Sequence, residues 1–237
     1  IWARGRAIAE PPVRQREGEA KPSAEIARAL AIARQNARKE VTYAVAYFVP
    51  GERGVQLLSE LAGRGVRVRV LTNSLAATDV VAVHAGYSKY REGLLAGGVE
   101  LYEYRSDARR PEPGGHRLRL GSSGSALHAK VVVHDRRLVW VGSANFDPRS
   151  RRLNTEAGLL IESEELAERL LSSIEWDFSP RNSWQLGLEK DPQGGSRRLT
   201  WNGERDGKSV NLAQEPDAGL LRHLGVLFYS TLPGAED

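Results

Sequence analysis

The sequence predicts an α/β protein in which helices layer on a parallel or mixed β-sheet. Two observations carry this. Strand-like and helix-like patterns alternate from residue 41 onward, the order expected when helices pack on a sheet. The first strand-like run, "VTYAVAYFV" (Val41–Val49), is apolar at nearly every position, as a strand covered on both faces must be.

Residues 1–22 read as a linker, because "AEPPVRQREGEAKP" is rich in Pro, Gly and charge and lacks an apolar period. Residues 23–237 read as one domain, with the segment 179–237 packed on the rest. A helix is expected from Ser23 to about Lys39, with Ser23 as N-cap, Glu25 in the first turn, and Ile26, Leu30 and Ala37 on one face. Pro50-Gly51 ends the first strand, and a helix fits Arg53–Gly63. "VRVRVL" (Val66–Leu71) alternates, which predicts a half-buried strand. A helix over Tyr87–Ala96, closed by Gly97-Gly98, leads to the strand "VELYEY" (Val99–Tyr104). Residues 105–126 are a loop dense in Arg, Pro, Gly and Ser. "LHAKVVVH" and "LVWVGS" predict two strands joined at Asp135-Arg136-Arg137, and "EAGLLIE" a third. Ser163 is expected to cap a helix with Leu166, Leu170 and Ile174 on one face. Leu220–Leu232 is apolar enough for either a core-packed last helix or an interfacial one.

Composition sets broad limits. The chain has 237 residues, 41% of them hydrophobic and 27% charged, enough to bury a sizeable core. It has no cysteine, which excludes disulfides and thiolate metal sites. A net charge of +4 and a pI of about 9.5 favour anionic partners such as lipid headgroups or nucleic acid. No apolar run reaches the length of a membrane-spanning helix, and no signal peptide is visible. The chain begins with Ile1 and has no methionine, so it is read as a fragment or a processed product.

The chemistry lies in "LHAKVVVHDRRLVWVGSANFDPRS" (Leu127–Ser150). On a regular strand His128 and Lys130 share a face. Asp135 follows, then Gly142-Ser143-x-Asn145, giving the pattern H-x-K-x4-D-x6-G-S-x-N. Lys130, Ser143 and Asn145 offer a cation and hydrogen-bond donors to the oxygens of a phosphodiester under attack. Gly142 allows close backbone approach. Histidine can attack phosphorus or protonate a leaving oxygen near neutral pH, provided that its other ring nitrogen is held by an acceptor.

This pattern resembles the HKD signature of the phospholipase D superfamily. The flanks, Ala46–Arg105, Asn145–Ser163 and Leu199–Pro233, resemble the second half of the bacterial cardiolipin synthases of the C type. The resemblance covers about residues 40–233. It implies a phospholipase D-like layered α-β-α fold with a mixed β-sheet carrying one HKD half. It implies transphosphatidylation through a phosphohistidine intermediate, forming cardiolipin from phosphatidylglycerol and a second phospholipid. Glu156 would orient His128, and Asp135 at the tight turn would bond backbone amides. No cofactor or metal is implied, because Lys130 and its counterpart supply the positive charge. The superfamily's site uses two such motifs, and this chain has one. His128 would be the general acid and later the base, opposite a nucleophilic histidine from an absent half or a second copy.

The implied partners are phospholipids, the complementary HKD half and a membrane surface, with the enzyme peripheral on the cytoplasmic side of a bacterial inner membrane. A single-motif phosphodiesterase working as a homodimer on lipid or nucleic acid is the alternative, and a non-catalytic docking module a third. Nucleic acid is disfavoured, since the basic residues lack an aromatic stacking platform. His84 either lines a headgroup pocket or is structural, and Asn73, Ser74 and Tyr87 share that choice. His134 is expected beside the turn in solvent. Arg117 and Arg119 could flank the site. Arg149, Arg151 and Arg152 read as a solvated cluster or a headgroup contact.

Overall fold

The structure, a computed structural model, describes residues 1–10, 24–109, 126–148, 150, 154–190 and 197–231. Ten strands form one sheet: β1 (Arg4–Ala9), β2 (Glu40–Val45), β3 (Arg67–Asn73), β4 (Glu100–Tyr104), β5 (Lys130–His134), β6 (Leu138–Gly142), β7 (Ala157–Glu162), β8 (Ser183–Lys190), β9 (Arg197–Arg205) and β10 (Lys208–Leu212). Their spatial order is β1-β7-β6-β5-β2-β3-β4-β8-β9-β10. β2, β3 and β4 run parallel, and the other pairings are antiparallel, so the sheet is mixed as expected. The helices are α1 (Ala24–Asn36), α2 (Gly51–Gly63), α3 (Val81–Ser88), α4 (Arg91–Ala96), α5 (Glu164–Glu175) and α6 (Leu220–Ser230).

Alternation along the strands builds two cores. Val41, Tyr43 and Val45 of β2, with Val68, Val70, Leu101, Val132 and Trp140, face Ile26, Leu58, Leu61 and Leu94 of α1, α2 and α4. Ala44, Leu71, Val131, Val133 and Val139 face Leu170, Leu171 and Ile174 of α5. The sheet therefore lies between two helical layers. Ser163 caps α5 by accepting from the Leu166 N–H at 3.2 Å.

Several expectations need correction. The stretch read as a linker supplies an edge strand: Arg4–Ala9 pairs antiparallel with β7. Residues 11–22 of that stretch lie outside the described residues. β3 is not half-buried. Arg69, placed by its alternation on the solvent side, is 3% exposed. Its guanidinium stacks 4.6 Å from the Phe178 ring centroid and pairs with Glu175 at 2.9 Å, so α5 covers the face that the arginines mark as polar. The helix expected over Tyr87–Ala96 is two helices, broken at Lys89-Tyr90. The segment after residue 179 does not merely pack on the domain, since β8 joins β4 and carries the same sheet outward through β9 and β10.

His134 is not solvated. It pairs with Val41 and Leu138 inside the sheet and is 3% exposed. The core-packed reading of the last helix fails, because no residue of α6 is buried.

Candidate active site

The motif's frame is a hairpin. Arg137 N–H donates to His134 C=O at 3.0 Å, and Asp135 and Arg136 take φ of +50° and +53°. Two left-handed central residues make a type I′ turn, whose twist suits antiparallel strands. Asp135 tolerates that conformation, and the Arg136 guanidinium is held by Glu40 at 2.9 Å. The Asp135 carboxylate accepts from the backbone N–H groups of Arg38, Lys39 and Glu40 at 2.8, 2.7 and 3.0 Å. Burial pushes its pKa up, but these three amides outweigh that and hold it below the usual carboxylate value. The motif's aspartate thus ties the β5–β6 turn to the α1–β2 connection.

Lys130 opens β5 opposite Val45, and its Nζ donates to the His128 carbonyl at 3.2 Å. Burial lowers the ammonium's pKa, against the pull of the Glu156, Asp79 and Asp147 carboxylates. Asp79 accepts from the Tyr47 hydroxyl at 2.7 Å. Asp79, Asp147 and Tyr47 were not singled out from sequence. Asp79 and Tyr47 have no local signal, for they reach the site only through the sheet.

His128 lies just before β5, so the two side chains do not share a strand as expected. It is exposed, between buried Leu127 and Ala129. Both neighbours are fastened. Leu127 N–H donates to Asn73 Oδ1 at 2.8 Å, and Asn73 Nδ2 donates to the carbonyls of Leu127 at 2.9 Å and Ala46 at 3.1 Å. Ala46 N–H donates to Ala129 C=O at 2.9 Å. Asn73, a candidate substrate contact from sequence, is thus turned inward, where it sets the backbone that carries His128.

Glu156 is 4% exposed and lies between two donors. Ser143 Oγ–H donates to its Oε2, and Asn154 Nδ2 donates to Oε1 at 3.1 Å. Ser143 Oγ in turn accepts from the Ala157 N–H at 3.1 Å. Among the described residues Glu156 therefore orients Ser143, rather than His128 as the resemblance implied. Gly142 pairs with Gly158 over the buried Trp140 ring. A Cβ on Gly142 would lie 2.6 Å from the Ala157 oxygen and 2.9 Å from Trp140 Cζ2. The glycine is required by the close β6–β7 pairing over that ring. Asn145 is half-buried, its N–H donating to Ser150 Oγ at 3.2 Å. The loop that holds it is fixed to the end of β2 by Phe146 N–H on Tyr47 C=O at 3.1 Å and Val49 N–H on Phe146 C=O at 2.6 Å.

His84 and Tyr87 sit apart from this group. His84 Nε2 lies 2.6 Å from both Glu215 Oε1 and Arg91 Nη2. Arg91 also meets Glu103 at 2.8 Å and Glu215 at 2.7 Å. The ligand-like trio His84, Glu103 and Glu215 therefore already surrounds a cation, the Arg91 guanidinium. Tyr87 is 2% exposed, with its ring against Phe48 and His84. This geometry favours the structural reading of both, and Ser74 is buried as well. Arg117, Arg119, Arg149, Arg151 and Arg152 lie outside the described residues.

One end of the sheet thus carries an exposed imidazole, a half-buried ammonium among three carboxylates, and a Ser–Glu pair. Residues 31–178 match the family described as "Cardiolipin synthase, PLD-like domain". The chain belongs to this family. Cardiolipin synthase C of Escherichia coli K12 is 37% identical over 98% of this chain and 48% of that protein. Cardiolipin synthase B of the same strain is 35% identical over 58% of this chain and 29% of that protein. The chain thus spans about half the length, or less, of these relatives.

The phospholipase D-like fold is shared with solved structures. A phospholipase D family member, Nuc from Salmonella typhimurium, aligns with a TM-score of 0.55 at 17% identity, over 78% of this chain and 99% of that one. Phosphatidylserine synthase from Haemophilus influenzae aligns at 0.52 and 18% identity, over 70% and 38%. The family assignment and the fold agree with the resemblance read from the motif.

Proposed function

We propose that this PLD-like domain is one catalytic half of a phosphatidyltransferase that makes cardiolipin by transphosphatidylation. What supports it is Lys130 at the start of β5, two residues after the exposed His128 and within the field of the Glu156 carboxylate, in a chain 37% identical to a cardiolipin synthase.

The chemistry runs in two displacements. A histidine from the complementary half attacks the phosphorus of a donor phospholipid. A P–N bond forms, the P–O bond to the headgroup breaks, and His128 gives its proton to the departing alkoxide. His128 then takes the proton from a hydroxyl of phosphatidylglycerol. That oxygen attacks phosphorus, the P–N bond breaks, and cardiolipin leaves. Lys130 and Asn145 stabilise the phosphoryl oxygens in both steps, and Ser143, held by Glu156, fixes the loop that presents Asn145. The complementary half is either the remainder of a longer protein or a second copy of this chain. The enzyme works at the cytoplasmic face of a bacterial inner membrane. Among the described residues no helix is long and apolar enough to cross a membrane.

The test is lipid mass spectrometry after incubation with phosphatidylglycerol and phosphatidylethanolamine vesicles, with and without the complementary half. Cardiolipin should appear with the parent chain and vanish with His128→Ala. Cardiolipin formed equally by His128→Ala, or no lipid product even with the complementary half present, would refute the proposal.

A further inference from the structure

α6 keeps its apolar side away from the protein. Leu220, Leu221, Leu224, Leu227 and Phe228 are 74%, 83%, 51%, 64% and 60% exposed. Their spacing puts all five on one face of the helix. A contiguous apolar stripe of this size is uncommon on a protein that stays in water.

The opposite face fixes the helix in this orientation. Arg222 Nη1 donates to the carbonyls of Leu75 at 2.8 Å and Thr78 at 2.7 Å. Gly225 faces α3, where a Cβ would lie 3.1 Å from Val81 Cγ1. Ahead of the helix, Glu215 is locked to Arg91 and His84. The segment that Arg222 grips continues to Asp79, whose carboxylate acts on Lys130. α6 and the candidate active site therefore border the same stretch of chain, while the stripe points away from it.

We infer that α6 is a docking helix for an anionic bilayer surface, lying in the headgroup region with its leucine–phenylalanine stripe inserted. The choice of a lipid surface rests on the function proposed above. A phospholipid's phosphodiester sits at headgroup depth, and an amphipathic helix enters by about 5–10 Å, so a helix packed on the segment that runs to Asp79 brings the site close to that level. Charge agrees with this. The helix has no acidic residue, its Arg222 is turned to the protein's own carbonyls, and the chain carries +4 overall.

The test is co-sedimentation of the chain with phosphatidylglycerol-containing vesicles, for the parent and for Leu224→Ser/Phe228→Ser. Both side chains are exposed, so the variant should keep the parent's circular dichroism and melting. Partitioning should fall about tenfold or more, on the scale expected when two large apolar side chains are lost from a membrane contact. The chain has no cysteine, so Leu224→Cys accepts a single polarity-sensitive dye. Its emission should shift blue on anionic vesicles, while the same dye at Glu168→Cys on α5 should not shift. Unchanged binding by the folded double variant, or an unshifted dye on vesicle-bound protein, overturns the inference. So does sedimentation showing that the parent is a dimer in solution and the double variant a monomer, for then the stripe seats a second copy. These readouts need no turnover. Binding through α6 without cardiolipin synthesis would sink the proposed reaction and leave the docking helix standing.

Discussion

Replacing Asp135 by asparagine separates the two roles that an aspartate in this motif could play. Asparagine has the same shape and tolerates the turn's left-handed backbone. Its oxygen can still accept from Lys39 and Glu40, but its NH2 would meet the Arg38 N–H, donor against donor, and the charge assisting all three bonds is gone. Losing one bond and weakening two should cost about 2–3 kcal/mol. For a chain of this size that lowers Tm by roughly 4–12 °C, measurable by circular dichroism. The sign with pH follows from the depressed pKa of the folded carboxyl. The stabilisation is fully present above the ordinary carboxylate value and is lost as pH falls through the lower folded value. The gap between parent and variant should therefore hold steady at neutral pH and close in acid. Turnover per folded molecule, assayed with the complementary half well below the melting range, should change little. A variant that melts like the parent but has lost turnover would refute the structural assignment and make Asp135 a participant in the chemistry.

Three further outcomes are expected. Glu156→Gln removes a carboxylate that favours the Lys130 cation, so the lysine's pKa should fall further. The alkaline limb of the pH–rate profile should then move to lower pH. Burial lowers the His134 pKa to about 4, so below its ordinary value near 6.5 the unfolded chain takes a proton that the folded chain refuses. Stability should drop by about 3 kcal/mol between pH 6.5 and 4 on this account. Urea unfolding of His134→Leu should lack that component. Arg91→Met strands two carboxylates, one of them on Glu103 at 0% exposure. It should cost about 3–5 kcal/mol in urea unfolding, with part recovered by adding Glu103→Gln.

What could be read from the sequence was what is local in it. The runs Val41–Val49 and Val99–Tyr104, the Ser163 cap and the spacing from His128 to Asn145 all carry their signal within a few residues. What was missed depends on distant partners. Arg4–Ala9 becomes a strand because β7 offers it an edge some 150 residues later. Arg69 is tolerated inside because Glu175, 106 residues away, neutralises it. Apolar content alone could not say that α6 faces outward, since a buried helix and an interfacial one share it. At the site the motif residues were visible, but Asp79 and Tyr47 enter only through the sheet, and Glu156 holds Ser143 where His128 was expected.

The stretch between Arg109 and Leu127 is held at both ends. Arg109 N–H donates to Asn182 Oδ1 at 3.1 Å, and its carbonyl accepts from Trp176 Nε1 at 3.1 Å. At the far end Asn73 grips Leu127, the residue before His128. His128 thus takes its position from a side chain on β3 and not from its own neighbours in sequence, so a graft of the motif hairpin without Asn73 would leave the imidazole unanchored.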